Sequence, residues 1–180
     1  MVAMARRIWI SFVAVSLAAV AASQVIESDN GRAAREGAAT VIRVVDGDTI
    51  RADIGGTEES IRLIGLDTPE THGRGGLREC FGEEASRYVE TLIPPGTPIR
   101  LARDVEARDR YGRLLAYVYR ADDDLFVNLD LAVEGYAAPL TFPPNVAHTD
   151  RFVRAAAEAR AAGRGLWGAC GGPDTPLDKL

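Results

Sequence analysis

Arg62-Leu63-Ile64-Gly65-Leu66-Asp67-Thr68-Pro69-Glu70 decides the reading of this chain, together with Val44-Val45-Asp46-Gly47-Asp48-Thr49-Ile50 just upstream. Each stretch runs apolar residues straight into carboxylates, the pattern of a strand that leaves a core and delivers acids to its rim. Asp48 and Asp67 can then meet. Carboxylates converging with backbone carbonyls make a hard-oxygen pocket, which suits Ca²⁺ or Mg²⁺ better than softer metals. Arg62 lies five residues before Asp67 and offers a phosphate clamp; Glu70, three residues after it, offers a candidate base. Together these are parts for phosphodiester chemistry.

Each motif also has a plain structural reading. Asp-Gly-Asp between two strands is a common tight connection, because Gly tolerates positive φ and Asp bonds its own backbone. Asp-Thr-Pro-Glu is a common helix or turn start, with a cap and Pro at the first position. A third segment changes the balance. Arg108-Asp109-Arg110-Tyr111-Gly112-Arg113-Leu114-Leu115-Ala116-Tyr117 adds a second arginine on another expected strand.

In order and spacing these segments, with Gly165-Leu166-Trp167 near the end, resemble the staphylococcal nuclease (thermonuclease) family over residues 40–167. The resemblance implies an α+β fold, mainly β, namely a five-stranded OB barrel with three helices; composition alone leaves only α+β. It implies one Ca²⁺ held by Asp48, Asp67 and the backbone carbonyl of Thr68, with Glu70 as general base and Arg62 and Arg113 on the phosphate. Asp46 is expected in the shell behind the metal. Arg110 and Tyr111 match residues that contact a terminal phosphate of bound nucleotide in the family. Where the family has a tyrosine pair against the base, this chain reads Ala138-Pro139-Leu140-Thr141-Phe142, and Phe142 stands in for one of them. The implied activity is cleavage of DNA and RNA with little sequence specificity, leaving 3′-phosphate ends, by a monomer. The alternative is an OB barrel that binds nucleic acid or oligosaccharide without catalysis; a degenerate copy of that kind should lack one of Asp48, Arg62, Asp67, Glu70 or Arg113, and all five are present.

Composition sets further bounds. The chain has 180 residues, 47% of them apolar and 26% charged, enough for one domain with its own core. Arg6-Arg7, an apolar run to Val20 and Ala21-Ala22-Ser23 read as an export signal over residues 1–23, with an uncleaved membrane anchor as the alternative. Its removal takes two arginines and no acid, moving the formal charge from −5 to −7. A nucleic-acid enzyme of that charge must concentrate its cations at the site and bind polymer in a salt-sensitive way. The expected destination is the periplasm or the medium. Cys80 and Cys170, the only two cysteines, then pair as a disulfide in an oxidising compartment.

Along the chain, residues 24–39 read as a flexible spacer, 40–170 as the nuclease-like domain and 171–180 as a disordered tail. Strands are expected over 41–45, 49–54, 60–66, 98–103 and 112–119. Alternation in the third puts Arg62 on the face opposite Ile61 and Leu63. Helices are expected over 80–93, over 129–134 capped by Asn128, and over 151–162 capped by Thr149 or Asp150. Trp167 is expected to plug the end of the core. His72 reads as a solvated loop histidine, and Asp122-Asp123-Asp124 as a hairpin tip rather than a second cation site.

Overall fold

The computed structural model of the chain describes residues 36–71 and 78–177. The expected export signal, most of the spacer, His72 and Arg74 lie outside the described residues. Five strands close a barrel in the order β1-β2-β3-β6-β5: β1 (Glu36–Asp46), β2 (Thr49–Ile54), β3 (Thr57–Leu63), β5 (Pro98–Ala102) and β6 (Leu114–Arg120). Two short strands, β4 (Gly65–Asp67) and β7 (Ala138–Leu140), pair beside it. The helices are α1 (Gly82–Leu92), α2 (Val127–Val133), α3 (Thr149–Ala161) and the single turn α4 (Leu166–Ala169). The expected five-stranded barrel with helices is therefore the observed fold.

β1 makes closure feasible. Its first half pairs with β5 from Glu36 to Thr40, and its second half with β2 from Thr40 to Asp46. Register shifts between Val41 and Arg43 and between Val44 and Asp46 bend the strand from one partner to the other. The spacer thus ends earlier than its composition suggests, because residues 36–39 take their order from the backbone of β5. Parallel pairing of β3 with β6 completes the barrel. Ile50, Ile61, Leu63 and Val118 of the strands share one fully buried core with Val89, Leu131 and Phe152 of the helices.

The expected third strand is broken in two. Gly65 takes φ +90°, and a Cβ there would lie 2.3 Å from the Phe152 ring. The chain turns out of the barrel at that point, which only glycine permits. β4 then pairs with β7 and carries Asp67 away from the barrel wall.

Two caps and the core plug differ from expectation. Asn128 is not a cap; it is fully buried, its carbonyl accepting from Val118 N–H (2.8 Å) and its amide donating to the Ile64 and Ala116 carbonyls (3.0 and 3.2 Å). It thereby ties α2 to β6 and to the break after β3. Neither Thr149 nor Asp150 caps α3, which starts from His148; Thr149 instead donates its hydroxyl to the Val146 carbonyl. Leu166, not Trp167, is the buried plug, and Trp167 packs half-buried against the Cys80–Cys170 pair. The tail is docked as far as residue 177: Cys80 N–H donates to Thr175, and Leu177 N–H to Arg78. At the acidic tip, Asp123 pairs with Arg120 and Asp124 with Arg100. Among the described residues no helix is long and apolar enough to cross a membrane.

Candidate active site

β1 ends on Asp46, β2 starts on Thr49, and the two residues between them form the turn that lowers Asp48 into the protein. Asp48 is 2% exposed. Its backbone carbonyl accepts from Leu63 N–H (2.8 Å), locking the turn to the end of β3. One residue earlier on β3, Arg62 stands opposite Thr49 and faces away from buried Ile61 and Leu63. Its guanidinium contacts Asp48 Oδ2 and donates to Asp67 Oδ1 at 2.5 Å. Two acids nineteen positions apart in sequence thus converge on one cationic point.

Too much negative charge is gathered here for ordinary acidities. Burial pushes Asp48 up to about 6, with Arg62 pulling the other way and Asp67 and Asp46 adding to the rise. Burial likewise pushes Glu70 up to about 7; a hydrogen bond shared with Asp46 and the charges of Asp46 and Asp48 add to it, and Arg62 opposes. Burial works against the Arg62 charge, but Asp48 and Asp67 more than restore it. Asp46 is itself held by Gly47 N–H (2.8 Å) and the Ser86 hydroxyl (3.3 Å).

Arg113 precedes β6 rather than lying within it. Its Nε donates to Asp109 Oδ2 (2.7 Å) and its Nη1 to Thr49 Oγ1 (3.3 Å), which brings it next to the β2 position that pairs with Arg62. Asp109 also accepts from the Tyr111 and Arg113 amides (2.9 and 3.0 Å), and its proton affinity is lowered: burial raises it, and the bonds from Arg113 and Tyr111 outweigh that. Arg62, Asp67, Glu70 and Arg113 share the wall of one cavity of about 790 Å³ with Arg110, Tyr111 and Phe142. Tyr111 is 67% and Phe142 70% exposed, two rings offered to solvent at its mouth. Arg110 donates to the Tyr111 hydroxyl (2.6 Å) and lies over its ring.

The donor set suits a hard divalent cation. Among the described residues no three His, Cys, Asp or Glu side chains form a metal-holding group. The expected set needs only two carboxylates and a carbonyl, and the acids already converge on a positive charge. Thr68 is 3% exposed, donates its amide to Asp48 Oδ2 (3.5 Å), and keeps beside them a buried hydroxyl with no hydrogen-bond partner among the described residues. All of these donors are oxygens, as Ca²⁺ prefers.

Sequence reasoning missed two residues that hold the site. Asp109 anchors Arg113, and its signal was the i,i+4 spacing inside a segment already singled out. Glu79 accepts from the Glu70 amide (2.8 Å), and nothing in the local sequence marks it.

The family model described as staphylococcal nuclease homologue matches residues 60–169. The chain is similar to the thermonuclease of Staphylococcus hyicus, 37% identical over 127 residues that cover 71% of this chain and 73% of that protein. It is 39% identical over 127 residues to the thermonuclease of Staphylococcus intermedius, covering 71% and 74%. It is 35% identical over 134 residues to endonuclease YncB of Bacillus subtilis, covering 73% and 62%.

Proposed function

The chain belongs to the staphylococcal nuclease family, and from that premise we propose a nuclease that is exported, uses one calcium ion and cuts DNA and RNA with little regard to sequence. It is an enzyme that hydrolyses phosphodiester bonds. The observation that carries the finer reading is the meeting of Asp48, Asp67 and Arg62 at one point, with Glu70 on the same wall and Arg113 beside Thr49.

Asp48, Asp67 and the Thr68 carbonyl would hold the ion. Bound there, a divalent cation would supply screening of the phosphate anion and polarisation toward attack. Glu70 takes the proton of the attacking water; a carboxyl raised to about 7 is well matched to that task near neutral pH. Asp46 raises the proton affinity of Glu70 through their shared hydrogen bond and its charge, which favours that uptake. Arg113, oriented by Asp109, and Arg62, drawn from its acids by the incoming phosphate, each present a planar fork to the phosphate oxygens. They stabilise charge as it builds on five-coordinate phosphorus. Tyr111 and Phe142 give bases a π-face to stack on, which tolerates any sequence. Arg110 adds a cation for a terminal phosphate.

A barrel that only bound its ligand would need neither the buried Asp48 nor the anchored Arg113. The enzyme acts as a monomer, is exported by residues 1–23 and works in the periplasm or the medium. Digestion of plasmid and RNA with Ca²⁺, Mg²⁺ or chelator, beside Glu70→Gln, tests the chemistry. Both polymers should be cut with Ca²⁺, neither with chelator, and both far more slowly by the variant. Cutting that persists in chelator would remove the metal from the reading. The N-terminal residue of protein recovered from culture fluid and periplasm should lie near Ser23; Met1 in its place would refute cleavage of the signal.

A further inference from the structure

We propose that Glu79 is a positioning residue for Glu70, clipped in place by the Cys80–Cys170 disulfide and the chain segment that follows it. The proposal rests on the assignment of Glu70 as general base. Glu79 grips residue 70 at both polar atoms of its backbone: Glu79 Oε2 accepts from Glu70 N–H (2.8 Å), and Glu79 N–H donates to the Glu70 carbonyl (2.9 Å). Gly82 closes the same contact, since a Cβ there would stand 2.8 Å from the Glu70 carbonyl oxygen and 2.9 Å from that of Pro69. The backbone of 69–70 therefore lies directly on the segment 79–82.

Glu70 needs such a grip. Its side chain is surrounded mainly by acids, with Asp46 and Asp48 both disfavouring its charge. Like charges push a carboxylate outward, so the side chain is kept in the cavity by where its backbone is held. The holding segment is in turn secured from the far end of the chain. Cys80 N–H donates to the Thr175 carbonyl (2.8 Å), Leu177 N–H to the Arg78 carbonyl (3.0 Å), and Glu79 bridges to Pro176. The disulfide joins Cys80 to Cys170, five residues before Thr175. The path from chain end to site is thus tail, disulfide, Glu79, Glu70.

Steady-state kinetics with a short oligonucleotide tests this with Glu79→Ala and Glu79→Gln, each alone and on Glu70→Gln. Glu79→Ala should lower kcat by about 10–100-fold, the order of cost of displacing a reacting group by an ångström, with KM nearly unchanged. Glu79→Gln keeps an oxygen that accepts the same N–H and should recover most of that loss. On Glu70→Gln, Glu79→Ala should cost little more, because the group it positions is gone. The Cys80→Ser/Cys170→Ser double variant, checked for folding by circular dichroism, should also lower kcat rather than raise KM, and it carries the test should Glu79→Ala not fold. An unchanged kcat in Glu79→Ala beside a Glu70→Gln whose residual turnover is strongly lowered overturns the proposal alone. So does a full extra loss on top of Glu70→Gln. Near-normal turnover of Glu70→Gln overturns the base assignment and takes this proposal with it.

Discussion

Asp48 carries the electrostatic cost of the site. Its proton affinity rises from the usual carboxylate range to about 6, so without metal the folded state holds a proton that the unfolded chain has released. In this respect folding is most favourable below about pH 4 and loses ground as pH climbs through 6. Asp48→Asn should therefore make the chelated protein more stable at pH 7.5 by roughly 1–3 kcal/mol, with the gain shrinking towards pH 4. The same variant should lose the stabilisation that Ca²⁺ gives the parent. Urea unfolding at the two pH values, with chelator and with Ca²⁺, reads both effects, and a variant less stable than the parent at pH 7.5 in chelator contradicts the account. At Arg62 and Arg113 the geometry of the fork matters as much as the charge. Lysine at either position should lower turnover by about 10²–10³-fold, the typical cost of losing one positioned donor. Activity within a few-fold of the parent in both variants would show that neither arginine works on the phosphate.

Among the elements, the break between β3 and β4 and the Asn128 clamp do most to aim the site. Gly65→Ala forces a Cβ onto the Phe152 ring at a left-handed φ, so the strand cannot turn out of the barrel without moving α3. A loss of about 2–4 kcal/mol is expected, the range of overpacking combined with backbone strain. Metal affinity should fall with it, because Asp67 lies two residues beyond. Calorimetric titration with Ca²⁺ beside thermal unfolding measures the two; unaltered stability would mean that Gly65 is not the hinge. Asn128→Ala leaves the Val118 amide and the Ile64 and Ala116 carbonyls without that partner inside the core. The Ala116 carbonyl keeps the Ile64 N–H, but each group left orphaned costs about 1–3 kcal/mol, so this variant should be among the most damaging single changes outside the site. These elements also show how far the chain could be read in advance. The alternation Ile61, Arg62, Leu63 placed Arg62 correctly, because a strand's period of two leaves no choice once its neighbours are buried. In sequence Asn128 reads as a cap, since a polar residue at the head of a helix looks the same whether it bonds its own turn or three backbones elsewhere.

Across the whole molecule, one disulfide links residues 90 apart in sequence and closes most of the domain into a loop. Chain entropy assigns such a link about 4–5 kcal/mol, so reduction should lower the unfolding midpoint substantially. Unfolding with and without reductant measures it, and coincident curves would show that the barrel core suffices alone. Net charge of −5 acts at the same scale. Against that background the cavity gathers Arg62, Arg110 and Arg113, so KM for long DNA should climb with salt, while that for a dinucleotide changes less. The sequence alone determined an α+β class, the two acid-bearing turns, both arginines and the pairing of its only cysteines, because hydrophobic alternation, turn chemistry and composition are local properties written residue by residue; the barrel itself came from the family resemblance those motifs carry. Tertiary structure alone decided that Asp48 and Asp67 share one guanidinium, that Asp109 aims Arg113, and that residues 171–177 dock on the segment gripping Glu70. Those contacts join positions distant along the chain, and the energy that selects them exists only once the backbone has closed around them.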